Sequence, residues 1–188
     1  ELPKNNLYNQ IECISNFDLE KLNLDTSKNL INKIIQSSEK ELDLHIKNIT
    51  LMIDAPDVQS FDFSIKKNLD AKSSLFEDIK FLLQDARQLA QKNNDKKIII
   101  HTIIEKIIVD EKIYNEFPND NIDYKSIALE LKFIYISEIF YNIIIKHFKL
   151  IHIEVDSILC SSYVKSLNYN QYFNEYNKKT FLDIGYKK

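Results

Sequence analysis

The chain has 188 residues, 44% of them apolar and 28% charged, values of a globular protein long enough to bury its own core without metals or disulfides. One Gly (Gly185) and three Pro (Pro3, Pro56, Pro118) argue against tight hairpins and a glycine-rich phosphate loop, since both need backbone free of a Cβ. A net charge of −3 argues against general nucleic-acid binding, which goes with a basic domain.

Residues 1–24 carry Leu7, Ile11, Ile14, Phe17, Leu19, Leu22 and Leu24, enough for an N-terminal strap or short helix. Asp25-Thr26-Ser27 can cap a helix whose apolar positions Leu30, Ile31, Ile34 and Ile35 have helical spacing. The same pattern runs on through Leu42, Ile46, Ile49 and Met52, and Ala55-Pro56-Asp57 ends it. The segment SIKKNLDAKSSLFEDIKFLLQDARQLAQK then sets Ile65, Leu69, Phe76, Ile79, Leu82, Leu83, Ala86 and Ala90 along one stripe, an amphipathic helix. Lys92-Asn93-Asn94-Asp95 is a break.

From Lys96 to about Glu116 the apolar residues are mostly isoleucine, which favours strand by propensity. Glu105, Lys106, Asp110 and Glu111 between them leave a helical pattern, and the spacing predicts a helix. FPNDNID is a turn by composition. Beyond it, Asp123 to about Leu167 holds no breaker, and a helix of that length needs a bend, placed near His147–Ile153. Phe133-Ile134-Tyr135-Ile136 and Ile143-Ile144-Ile145 are apolar on all sides, as in the buried centre of a bundle. Lys132, Glu138 and Lys146 keep any charge-free run too short for a membrane span. The expected fold is therefore all-α: a single domain over 1–188, built as a bundle of five or six helices with a long, bent central helix. Residues 168–188 form an aromatic C-terminal segment.

The candidate chemistry sits in KHFKLIHIEVDSILC, Lys146 to Cys160. On one helix His147 and His152 would point about 140° apart, too far for one ion. His152/Asp156, Glu41/His45 and His101/Glu105 are spaced four apart, but no Glu-x-x-His of the bundle metal type occurs. No metal and no cofactor are expected. Gly-x-Ser-x-Gly, His-Glu-x-x-His and Cys-x-x-Cys are absent from the sequence, and the lone Arg87 is weak equipment for an anionic substrate.

Tyrosine crowds the last third, where residues 141–188 hold seven Lys against four acids. Tyrosine favours recognition because it offers rigid area and a hydroxyl at low entropic cost. The expected function is non-catalytic binding of another protein through Tyr163, Tyr169, Tyr172, Phe173 and Tyr176. A second reading is a secreted carrier holding a small apolar ligand in an interhelical cavity lined by Ile143, Ile144 and Phe148. A third is an enzyme with no recognisable motif. Cys13 and Cys160 can bridge or stay reduced, Asn48-Ile49-Thr50 is a glycan acceptor, and a start at Glu1 leaves room for a removed leader. Secreted and cytoplasmic locations both stay open.

Overall fold

A computed structural model describes residues 24–68, 74–118 and 123–172. Its elements are α1 (Leu24–Leu42), β1 (Asn48–Ile53), β2 (Gln59–Asn68), α2 (Leu75–Lys92), β3 (Lys97–Val109), β4 (Lys112–Tyr114), β5 (Ser126–Ser137), α3 (Glu138–Lys149), β6 (Glu154–Cys160) and α4 (Ser161–Tyr172). The all-α expectation is overturned. The protein is a mixed α/β fold with two sheets, one of order β1-β6 and one of order β2-β5-β3-β4, and four helices among the described residues. The strap expected over 1–24 lies outside the described residues except for Leu24, where α1 begins.

The chain divides into two compact units. Of the described residues, the first comprises 24–50 together with Ile143–Asp156. In it the Glu154 N–H donates to the Lys47 carbonyl at 2.8 Å, and the Asn48 amide donates to Asp156 at 2.7 Å. Ile144, His147 and Phe148 of α3 are buried here, with the His147 ring edge-on to Phe148. A turn through residues 150–153, with His152 at φ 61°, leads into β6, so the expected break does lie there. What it separates is a short helix from a strand.

The second unit, Leu51–Asn142 with the chain from Ser157 onward, holds the four-stranded antiparallel sheet and α2. Helix α2 starts after Ser74 with Glu77 and Asp78 in its first turn, where carboxylates suit the helix dipole. It ends at Asn93, where the Asn94 side chain returns to the Ala90 carbonyl at 2.9 Å. Its stripe of Leu75, Ile79, Leu82, Ala86 and Ala90 packs on Ile127, Leu129, Leu131 and Phe133 of β5 and on Ile99, Ile107 and Val109 of β3. Each fully buried Leu, Ile or Phe contributes about 1.5–3 kcal/mol, so this layer holds the unit together.

Two β-bulges explain why β3 resembles a helix in sequence. The pairing of β3 with β5 slips between Ile99 and His101 and again between Ile104 and Lys106. Each slip adds one residue and swaps the faces beyond it. By the register, Ile99, Thr102, Ile104, Ile107 and Val109 all face α2, at spacings of three, two, three and two. The remainder of the alternation, including His101, Ile103, Lys106 and Ile108, faces the other way.

The hairpin β3–β4 also corrects the argument from scarce glycine. Asp110 and Glu111 form its two-residue loop at φ 45° and 69°, the left-handed pair that glycine normally supplies. Asp is among the residues that tolerate this region, and here the Asp110 carboxylate adds bonds. It accepts the N–H groups of Lys125 (3.0 Å) and Ser126 (2.8 Å), which tie the turn to the start of β5. These donors hold its pKa below the ordinary carboxylate value.

Candidate functional site

β5 runs between β2 and β3, so its α2-facing side chains are sealed: Leu129 and Phe133 are 0% exposed and Leu131 is 1%. Opposite them on β2 stand Ile65, Phe61 and Phe63, which stay only half-buried. Phe61 and Phe63 lie 5.3 and 5.7 Å from the Phe133 ring, and Phe61 lies 5.6 Å from Tyr135. The same row of side chains is thus complete on one strand and open on the next. Among the described residues no strand lies beyond β2.

The two edges of this sheet are built differently. At the far edge β4 has only three residues, and the rest of β3 carries the two bulges. Short strands and bulges are standard protections against unwanted strand pairing. β2 has neither. It keeps an unbroken ten-residue register with β5 and contains no proline. Its outward N–H and C=O groups form an unbroken template with a half-exposed apolar ribbon on one side.

On the face away from α2, β2 presents Ser60, Asp62, Ser64 and Lys66. Asp62 belongs to a cross-strand charge ladder. The Lys132 ammonium donates to Glu105 at 2.7 Å and lies 2.9 Å from Asp62, while Lys106 donates to Glu130 at 2.6 Å. The bond to Glu105 and then that to Asp62 push the Lys132 pKa up to about 12. Lys66 faces Ala128, so no acid stands opposite it in its own sheet.

His101 lies on the same face, turned there by the bulge at Ile100. Its Nε2 accepts the backbone N–H of Cys160 at 2.8 Å, and its ring meets Tyr163 of α4 edge-on at 4.8 Å. Burial lowers its pKa below the ordinary value. With Nε2 occupied by a backbone amide it cannot serve the thiol as a base, and the two contacts join β3 to the end of β6 and to α4. Cys160 is a free, buried thiol, and Cys13 lies outside the described residues.

The residues singled out from sequence fall in different elements, and some lie outside the described residues. Tyr163 is half-buried, with its ring edge-on to His101. Tyr169 and Tyr172 belong to α4, whereas Phe173 and Tyr176 lie outside the described residues. The carrier reading fails with the bundle on which it depended: Ile144 and Phe148 are buried on one twelve-residue helix, with Ile143 half-buried beside them. The His–acid pairs separate too. His45 bonds Glu39, Glu105 goes to Lys132, and Asp156 goes to Asn48. Among the described residues no three His, Cys, Asp or Glu side chains could hold a metal ion, and no helix is long and apolar enough to cross a membrane.

The β2 edge is hidden in the sequence because QSFDF falls in the stretch between two expected helices and SIKK in the start of the second. The available signal was the strict alternation of Phe61, Phe63 and Ile65 with Ser60, Asp62, Ser64 and Lys66, a period of two. No protein-family profile matches the chain, and no curated protein matches its sequence.

Proposed function

We propose that this protein is a binding module that captures an extended protein segment along β2, which adds a strand to the four-stranded sheet. The carrying observation is the contrast between the sheet's edges: β3–β4 is blunted, while β2 offers ten residues in unbroken register beside a half-buried ribbon of Phe61, Phe63 and Ile65. Strand addition takes its affinity from main-chain hydrogen bonds and its selectivity from alternate side chains. On the α2 side the ribbon would take apolar side chains of the incoming segment. On the other side Asp62 and Lys66 would select for charge.

The test is a displayed library of extended peptides selected on the purified protein, followed by NMR titration with the enriched sequences. The expected amide shifts concentrate within Gln59–Asn68 and its neighbour β5. Methylating alternate backbone nitrogens of the peptide should abolish binding without altering any side chain. Shifts centred instead on the exposed Phe76–Phe117 pair, or binding indifferent to N-methylation, would overturn the reading.

A further inference from the structure

We propose that the segment received by β2 is β2 of a second copy, paired antiparallel about Ser64 to give one continuous eight-stranded sheet. The inference rests on the reading of β2 as a strand-adding edge and specifies its partner. For the two α2 helices to lie on the same side of a joined sheet, residues facing α2 must pair with residues facing α2. Centring the pair on Ser64 does this: Phe63 meets Ile65, Ile65 meets Phe63, and Ser64 meets its own counterpart. Further out Phe61 meets Lys67, whose aliphatic stem can lie along the ring while its ammonium keeps its place 3.8 Å from Asp78 of α2. On the opposite face Asp62 of each copy meets Lys66 of the other, twice by symmetry.

Neighbouring same-face registers lack this charge match. Centring on Asp62 or on Lys66 sets two like charges against each other. Centring on Phe63 places Asp62 against Ser64 and Lys66 against Ser60, so neither charge finds a partner. Centring on Ile65 places Asp62 against Asn68 and Lys66 against Ser64, with the same result. The Ser64 register supplies Lys66, which faces Ala128 within its own sheet, with a carboxylate. It also covers the ribbon of Phe61, Phe63 and Ile65 that the single chain leaves half-exposed. A twofold contact of this kind closes on itself and stops at two copies, so an open edge of this length ends in a dimer and not in a growing fibre.

Sedimentation equilibrium on the full chain tests the proposal. Asp62→Lys and Lys66→Asp each turn both symmetric contacts into like-charge pairs and should weaken the dimer by roughly tenfold or more. Mixing the two variants restores both contacts in a heterodimer. The introduced lysine of one chain then meets the introduced aspartate of the other, and the unchanged Lys66 meets the unchanged Asp62. Association that neither variant shows alone is thereby recovered. Lys66→Asp leaves the Asp62–Lys132 bond intact, so its folding is the safer of the two and circular dichroism verifies both. Register is read by Ser64→Cys in a Cys13→Ser background, which should cross-link on oxidation, whereas Ser60→Cys, placed opposite Asn68, should not. A chain monomeric at about 100 µM, far above the concentration at which weak specific dimers form, overturns the homodimer. So does a dimer that is unaffected by Lys66→Asp and that the Ser64→Cys substitution fails to cross-link. In either case the peptide titration decides separately whether β2 receives another strand.

Discussion

Phe133 and Lys132 are adjacent on β5 yet face opposite sides of the sheet, so a pair of substitutions separates packing from charge. Phe133 is 0% exposed and touches Phe61 and Phe63. Phe133→Ala should cost about 3–5 kcal/mol, the range for a large aromatic removed from a core that collapses only in part. At about 2–4 °C per kcal/mol for a chain of this size, the unfolding midpoint should fall by about 6–20 °C. Lys132→Met removes two ion pairs but keeps the aliphatic stem. The side chains of Lys132, Glu105 and Asp62 are 34%, 39% and 74% exposed, so solvent screening leaves each pair worth about 0.2–1 kcal/mol. The expected loss is about 1–2 kcal/mol, part of it from leaving Glu105 and Asp62 without their shared cation. Urea titration of the two variants beside the parent measures both. Equal losses, or a greater loss for Lys132→Met, would refute a sheet held chiefly by its α2 face.

Glu111→Gly should stabilise the protein by about 0.5–1 kcal/mol, because it relieves a left-handed non-glycine residue against some added unfolded-state entropy; a lowered urea midpoint would contradict the assigned turn. For His101 burial lowers the folded pKa, so the unfolded chain takes up the proton more readily. Its contribution is fully present above about pH 6.5 and is lost as pH falls through the folded pKa; His101→Gln should therefore lose less stability than the parent between pH 7 and 5. The Asp110 carboxylate is likewise held low, so its contribution is present above the unfolded value and is lost as pH falls through the folded one. Asp110→Asn should flatten the decline in urea midpoint between pH 5 and 3, and an unchanged decline would remove Asp110 from the turn's anchors.

The legible parts of the fold are those where one period persists. The stripe of α2 from Ile79 to Ala90 reads correctly because a helix on one face of a sheet keeps a 3.6-residue repeat. Its start does not, since Ile65 belongs to β2 and happens to fall in phase with the later positions. β3 fails for a definite reason: inward positions at alternating steps of three and two average midway between strand and helix. Isoleucine propensity was the better guide there. Around Phe133–Ile136 the apolar run signalled burial on both sides, and the element buried is the strand β5, followed directly by α3.

Scarce glycine misled for a related reason. It limits hairpins only if left-handed positions admit no other residue, and Asp110 meets that need with a side chain that binds two backbone amides. The same carboxylate secures the β4 edge, where the chain is short and bent. At the opposite edge β2 carries only a charged end, with Lys67 turned to the α2 side and its ammonium 3.8 Å from Asp78, and ten residues in unbroken register beside three half-buried apolar side chains form the more adhesive surface. Edge strands that are left both long and regular invite pairing, and natural sheets suppress this where pairing serves nothing. One sheet carrying both treatments sets a closed edge against an open one, and Asp62 and Lys66 give the open one a charge pattern that pairs with itself when reversed about Ser64.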